Sequence, residues 1–411
     1  MAPDTTPTVE AAEAAIPERP PQSGALQLTD TEAQTDMRAL RAYRLGRIRA
    51  ELRRLDYAGI LLYDPVNIRY ATGTRNMTVW TMHNPARYCF VPTEGPVVLF
   101  EFHGCAHLSA GIETIQELRT AISWFYFVAG DRAGERARLW AAELADLVRA
   151  HGGGNRRLAV DRCDPPGTAA LAAEGLEVMD GQEVTERARC IKSPEELACM
   201  HASITVCEVA MARMREELEP GMTENQLWSI LHQVNIAMGG EYIETRLLAS
   251  GQRSNPWFQE SSDKVIRPGE LVGFDTDLIG PFSYCADISR TFFCGPGRPS
   301  DEQRRIYALA FEQIQANTAL LKPGLGFREL AETAWRMPSS CLPQRYAVVV
   351  HGVGLADEYP ACFYAEDIGT SGYDGVFEAG MTVCVESYIG EVGGAEGVKL
   401  EEQVLITERG A

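Results

Sequence analysis

Six acidic or imidazole side chains in the second half of the sequence have the residue types of a metal site. They are Asp275, Asp277, Asp287, His351, Glu386 and Glu401. Several of them lie inside strongly apolar runs, where an unpaired carboxylate is costly, although any one aspartate taken alone could be a solvated turn residue. Carboxylates with one imidazole are ligands that hard or borderline divalent metals accept. The sequence therefore predicts a site for one or two divalent transition metal ions.

The helices of the region that carries these residues start at capping boxes. The Ser/Thr-x-x-Glu/Gln signature occurs at residues 193–196, 223–226 and 300–303 and predicts three helix starts. Glu219-Pro-Gly-Met is echoed by Lys322-Pro-Gly-Leu, each after a long helical pattern. Residues 193–411, within a predicted metal-binding domain of residues 191–411, are therefore predicted to form two similar halves, each a helix pair followed by strands. Asp275 and Asp277 are two apart, so we expect both carboxylates on one face of a strand.

Residues 37–190 have the pattern of a smaller α/β domain. Leu45, Ile48, Leu52 and Leu55 recur at helical spacing. A strand is expected at 58–63, a hairpin at 89–102, a helix near 131–151 and a strand at 157–161. Residues 1–36 are rich in Pro, Thr, Glu and Ala and are predicted to be a flexible arm.

Composition narrows the classes of function. The chain has 411 residues, 45% of them hydrophobic, and a formal net charge of -19, so no basic surface for nucleic acid is expected. The eleven cysteines form no CxxC pair, which favours reduced thiols in the cytoplasm. We expect neither a signal peptide nor a membrane span.

The motifs around the six residues resemble a known family. ADISRTFF (286–293), HGVGL (351–355), GMTVCVE (380–386) and GVKLEEQVLIT (397–407) resemble the M24 metallopeptidases, the family of methionine aminopeptidase, prolidase and creatinase. DPVNIRYATG (64–73) and IKSPEE (191–196) resemble the N-terminal domain of the prolidase and creatinase branch. This resemblance implies an α+β protein: a C-terminal pita-bread fold preceded by a smaller creatinase-type N-terminal α/β domain.

By position, four residues match the metal ligands of this family. They are Asp287, His351, Glu386 and Glu401. The family's usual spacing for the first aspartate falls between Asp275 and Asp277, which lie twelve and ten residues before Asp287. Both therefore remain candidate ligands.

Departures from the peptidase pattern change the expected chemistry. The segment HGVGLADEYP (351–360) lacks the second histidine of the peptidases and has Asp357 near its place. The peptidases have another histidine in the stretch that corresponds to SGQRSNPWFQE (250–260), where this chain has Asn255, Trp257 and Phe258. Peptide hydrolysis without these proton carriers should be poor. An acid that can act as a base and aromatic faces that attract a cation suit a different substrate.

This combination, with Tyr346, resembles the DddP-type dimethylsulfoniopropionate (DMSP) lyases of the same family. The resemblance implies a β-elimination that yields dimethyl sulfide and acrylate, with the substrate carboxylate on metal and Asp357 as the base. Tyr346 and Trp257 become candidates for substrate binding, with core packing as the alternative for both rings. It also implies iron and a homodimer, although the ligands alone would accept Mn, Co or Zn.

Two other functions compete with this interpretation. An Xaa-Pro dipeptidase or aminopeptidase would use the same metals but would need the missing histidines. A non-catalytic pita-bread binding protein would usually have lost the metal ligands. Creatinase-like amidine hydrolysis, which works without metal, is a weaker third alternative.

Overall fold

The computed structural model describes residues 35–411. The predicted flexible arm, residues 1–36, lies outside the described residues except for its last two positions.

The first region of the chain is an α/β arrangement built on one mixed sheet. Its strands are β1 (Gly59–Leu62), β2 (Tyr88–Pro92), β3 (Val98–Glu101), β4 (Glu117–Thr120), β5 (Arg157–Val160) and β6 (Glu177–Asp180). Its helices are α1 (Met37–Arg54), α2 (Pro65–Thr72), α3 (Thr78–His83), α4 (Tyr126–Ala129), α5 (Ala133–His151), α6 (Pro165–Ala173) and α7 (Gln182–Arg189). The strand order is β4-β3-β2-β1-β5-β6, with the predicted β2–β3 hairpin present.

Both faces of this sheet are covered, and the central strand shows why its sequence is continuously apolar. Ile60 and Leu62 of β1 pack on the side of α1, whereas Leu61 packs on the side of α5. A strand buried on both faces has no position for a polar side chain.

Helix α1 confirms the predicted amphipathic helix, with Ile48 and Leu52 fully buried, but it also buries a charged residue. Leu45 and Leu55 are only partly buried, whereas Arg44 is fully buried beside Ile48. The Arg44 guanidinium donates to Tyr284 Oη at 2.5 Å and lies 3.6 Å from the Glu196 carboxylate. A contact with the second region of the chain therefore decides which face of α1 is buried.

The second region has the two similar halves that the sequence predicts. The first half has α8 (Pro194–Glu217), α9 (Glu224–Ala237), β7 (Tyr242–Ile243), β8 (Leu248–Ser250), β9 (Leu271–Phe274), β10 (Leu278–Ile279), β11 (Cys285–Ala286) and β12 (Arg290–Phe293). The second half has α10 (Asp301–Leu320), α11 (Phe327–Thr333), β13 (Val350–Val353), β14 (Asp357–Cys362), β15 (Thr382–Gly390) and β16 (Gly397–Leu405). All three predicted capping boxes are present, at the starts of α8, α9 and α10.

The strands of the second region form three small sheets. Their orders are β12-β9-β8, β11-β10-β7 and β14-β13-β15-β16. Among the described helices, α8 alone has the length and apolarity of a membrane span, and its buried side chains, such as Val206 and Met214, pack in the protein core.

Candidate metal centre and active site

The first three candidate ligands lie in a break between two short sheets. Phe274 of β9 pairs with Arg290, and Leu278 of β10 pairs with Ala286. Residues 275–277 and 287–289 lie between these pairs and belong to no strand. The expectation that Asp275 and Asp277 share one face of a strand is therefore wrong, because the ladder is interrupted at this point and Asp277 has a left-handed φ of 35°.

The other three candidate ligands come from neighbouring strands. Glu386 of β15 and Glu401 of β16 are direct cross-strand partners, so their side chains leave the same face. His351 lies in β13 at an irregularity in its pairing with β14. Its Nε2 atom lies 3.6 Å from Asp287 Oδ2, 3.3 Å from Glu386 Oε1 and 3.4 Å from Glu401 Oε1.

All six predicted ligands are thus brought together. Oxygens of Asp275, Asp277 and Asp287 lie within 4.8 Å of one another, and a second group within the same limit joins Asp287 and Glu401 to His351. This second group also includes Cys384 Sγ, which the sequence analysis did not single out. Cys384 lies two residues before Glu386 on β15, so strand alternation places both side chains on one face.

The donor set fits a divalent cation. Glu386 Oε1 and Glu401 Oε1 are buried and accept no hydrogen bond from the described part of the chain. Buried oxygens without a partner are costly unless something binds them. Desolvation, and then repulsion from Glu401, raises the pKa of Asp287 well above its usual value. A divalent ion would remove both costs, since it supplies charge and coordination at these atoms.

Lys399 is a central charged residue that the sequence analysis missed. Its buried ammonium lies 2.6 Å from Glu386 Oε2, 3.2 Å from Asp275 Oδ2 and 3.4 Å from Glu401 Oε2. Ser289 Oγ, 2.7 Å away, accepts from it. Lys399 therefore contacts the second oxygen of each glutamate and leaves Oε1 of each facing His351. A lysine inside the strand GVKLE was the available signal, because buried lysines are rare without partners.

Asp357 lies beside His351 at the mouth of this centre. Its Oδ1 atom is 3.7 Å from His351 Nδ1, and the side chain is 52% exposed. Desolvation raises the pKa of Asp357, the charge of His351 opposes this shift, and Glu401 adds to it. A carboxyl with a raised pKa is better matched to accepting a proton near neutral pH than an ordinary aspartate.

The two predicted aromatic residues occupy different environments. Trp257 is only 6% exposed and packs 6.0 Å from the Tyr388 ring. The Tyr346 ring lies between two neighbours, with Lys399 Nζ 4.5 Å and the Phe258 ring 5.2 Å from its centroid. Phe258 is 55% exposed and has a left-handed φ of 71°, which is unusual for an aromatic residue. The exposed aromatic surface at this edge is therefore Phe258.

Comparison with known proteins identifies the class. Residues 198–408 match metallopeptidase family M24, and residues 44–191 match the creatinase/prolidase N-terminal domain. The chain belongs to metallopeptidase family M24. The Xaa-Pro dipeptidase from Bacillus anthracis has a similar structure, with a TM-score of 0.69 and 22% identity, over 90% of this chain and 96% of that one. The predicted fold class, a pita-bread domain after a creatinase-type domain, is confirmed.

Within this family the chain is similar to two proteins named dimethylsulfoniopropionate lyase DddP. The protein from Roseovarius nubinhibens is 42% identical over 385 residues, which cover 92% of this chain and 86% of that protein. The one from Roseobacter denitrificans is 43% identical over 382 residues, which cover 91% and 85%. The resemblance drawn from the motifs is confirmed.

Proposed function

We propose that this protein is a metal-dependent carbon–sulfur lyase that cleaves DMSP to dimethyl sulfide and acrylate. The observation that carries the proposal is the pairing of an intact ligand set with a carboxylate, Asp357, next to His351. The similarity to the two DddP lyases over most of the chain supports the same substrate.

The proposed elimination consists of substrate binding and proton transfer, and different groups carry out each part. When bound, a divalent metal ion supplies a Lewis acid for the substrate carboxylate. Asp357 takes the proton from the carbon next to that carboxylate. The electron pair of the broken C–H bond forms the C=C bond of acrylate, and the C–S pair leaves with sulfur as neutral dimethyl sulfide. The raised pKa of Asp357 supports its role as the acceptor.

The sulfonium end of the substrate needs a surface that favours positive charge. We propose Phe258, stacked on Tyr346, as this surface, because it presents an accessible aromatic face at the edge of the centre. In this arrangement Tyr346 stacks against Phe258, and Trp257 packs against Tyr388.

Dimethyl sulfide release by purified protein tests the proposal. Headspace detection with DMSP as substrate should show dimethyl sulfide and an equal amount of acrylate. Xaa-Pro dipeptides supplied with Mn²⁺ should release little proline, because the histidines of the peptidases are absent. Efficient proline release without dimethyl sulfide would favour the dipeptidase instead.

Three further properties are part of the proposal. We expect iron as the physiological metal, a homodimer as the working state, and a cytoplasmic location. All eleven cysteines are free thiols in the structure, which supports a reducing compartment. Metal analysis of protein purified without oxygen and sedimentation at working concentration test the first two.

A further inference from the structure

We infer that Glu358 is a positioning residue for Asp357, clamped by Arg189 and Lys192 from the segment that joins the two regions of the chain. The inference rests on the proposed role of Asp357 as the base. In the described part of the chain the Glu358 carboxylate bonds to Arg189 and Lys192 and to no candidate ligand, so its effect on the reaction would pass through its neighbour.

The clamp uses both oxygens of a fully buried carboxylate. Arg189 Nε donates to Glu358 Oε2 at 2.9 Å, and Lys192 Nζ donates to Glu358 Oε1. The Glu358 side chain is 0% exposed, and both cations are nearly as buried. With two cations on its oxygens, Glu358 is unsuited to replace Asp357 as a base.

Strand geometry connects this clamp to the base. Asp357 and Glu358 are consecutive residues at the start of β14, so their side chains leave opposite faces. Holding Glu358 on the inner face therefore fixes Asp357 on the face toward His351. Both residues pair with β13, through Val353 and Gly352, but the register shifts directly beyond them, between His351 and Gly352, so regular pairing ends at Glu358.

The turn before β14 is shaped around the same carboxylate. A Cβ atom on Gly354 would collide with the Glu358 carboxylate. The turn can therefore pack against this buried carboxylate only if residue 354 is glycine. The orientation of Asp357 and the path of the turn both depend on Glu358.

A chain of polar contacts extends the clamp into the first region. Arg189 Nη1 donates to Asn67 Oδ1, and Asn67 Nδ2 donates to Asp161 Oδ2 at 3.0 Å. Asp161 also accepts from the Tyr63 backbone N–H at 2.8 Å. The carboxyl end of β5 is therefore connected through Arg189 to the strand that carries the base. A cavity of about 420 Å³ is lined by Asn67, Asp161 and Arg189 of this chain of contacts and also by Asp357.

Energetics favour a role in geometry over one in stability. Buried ion pairs often stabilise no better than apolar groups of the same volume, whereas removing one partner leaves an unpaired buried charge. An apolar residue at 358 would bury as well but would not orient the strand through two directed contacts.

The experiment compares Glu358→Gln and Lys192→Met with a matched buried pair elsewhere. Glu101 and Arg87, 2.9 Å apart and both 1% exposed, form such a pair in the first region, and Glu101→Gln is the control. We expect kcat for dimethyl sulfide release to fall about 10- to 100-fold in Glu358→Gln, since small misplacements of a reacting group have effects of this size. KM and metal content should stay within a few-fold. Glu101→Gln should lower the unfolding temperature but keep kcat.

If Glu358→Gln does not fold, Lys192→Met tests the inference, because Arg189 still holds Glu358 in the Lys192→Met protein. Its kcat should fall less, about 3- to 10-fold, and hydrogen exchange at residues 354–358 should rise only in the clamp variants. Folded clamp variants with wild-type kcat and wild-type exchange would overturn the inference, and so would a kcat loss that follows metal loss. Wild-type protein that releases no dimethyl sulfide would instead refute the proposed function, and the exchange data would still decide whether Glu358 holds the segment.

Discussion

Asp357 is the residue on which the proposed chemistry depends, and it can be separated from the metal site by substitution. Asp357→Asn should lower elimination by about 10²- to 10⁴-fold, the usual effect of losing a general base. Metal content should stay near the wild-type value, because Asp357 lies beside His351 at 3.7 Å and the buried ligand set remains complete. The measurement pairs acrylate release with elemental analysis on the same preparation.

A substitution in the ligand set gives the control for this prediction. Glu401→Ala should lose metal and activity together. If Asp357→Asn keeps its metal and turns over DMSP within a few-fold of wild type, the base lies elsewhere, and Tyr346 is the next candidate.

Phe258 gives a second prediction at the scale of single residues. Phe258→Ala removes the exposed ring stacked on Tyr346, so KM for the cationic substrate should rise several-fold, in line with about 0.5–2 kcal/mol for a cation on an aromatic face. Phe258→Tyr, which keeps the aromatic face, is the matched control and should stay close to wild type. An unchanged KM in Phe258→Ala would remove this residue from the substrate site.

The candidate site can be predicted from the sequence where a residue type is unusual in its context, but not where contacts decide. Carboxylates are unusual within apolar runs, which indicates Asp277, Asp287 and Glu386 as candidates, and the family motifs add Glu401. Lys399 was missed because a lysine in a strand is normally assigned to the surface. The sequence analysis chose Trp257 instead of Phe258 because spacing along the chain does not show which of two neighbouring rings faces outward. In the structure Phe258 has a left-handed φ, and its ring is the exposed one.

Among the elements, regular ones followed from the sequence and interrupted ones did not. Capping boxes and the continuous apolar run of β1 depend on local chemistry, so three helix starts and four strands of the first sheet, β1, β2, β3 and β5, could be predicted. The break between β9 and β10 depends on which residues find a partner across the hairpin, and alternation cannot show that. Likewise, Arg44 of α1 is buried because it contacts Tyr284 and Glu196, which are distant in sequence.

The end of β5 offers a prediction about pH. Burial raises the pKa of Asp161 to about 7, although hydrogen bonds from the Tyr63 backbone and Asn67 act in the opposite direction. The unfolded chain has an ordinary aspartate with a pKa near about 3.9. Between these values the folded state holds a proton that the unfolded state releases. The contribution of Asp161 to stability therefore falls as pH rises from about 4 to about 7, by roughly 4 kcal/mol at most.

Urea unfolding of wild type and Asp161→Asn across pH 4.5–8 measures this effect. The free energy of unfolding of the variant relative to wild type should increase up to about pH 7 and then level off. Other titrating groups are common to both proteins and cancel in the difference. Asp146→Asn on α5, where the side chain is 76% exposed, should show no such trend. A flat difference for Asp161→Asn would mean that its carboxyl titrates normally in the folded state.

At the scale of the whole chain, both halves of the second region supply candidate ligands to one centre. Asp275, Asp277 and Asp287 come from the first half, and His351, Glu386 and Glu401 come from the second. An ion bound by both halves binds the folded chain and not the unfolded one, so it must stabilise the fold. The surplus of buried carboxylates, with Lys399 as the one buried ammonium among them in the described structure, makes this stabilisation depend on the ion's charge.

Metal removal therefore has a predictable effect on thermal unfolding. Chelator-treated protein should unfold at a lower temperature than protein given Fe²⁺ without oxygen, and metal at a hundred times its dissociation constant should add about 2.7 kcal/mol. Parallel titrations with Mn²⁺, Co²⁺ and Zn²⁺ rank the ions on the same scale, and elemental analysis gives the stoichiometry. His351→Ala should lose most of the metal-dependent shift, because its ring faces the unpartnered oxygens of Glu386 and Glu401. Asp357→Asn should keep that shift while losing activity. An equal shift in wild type and His351→Ala would place the stabilising ion outside this centre.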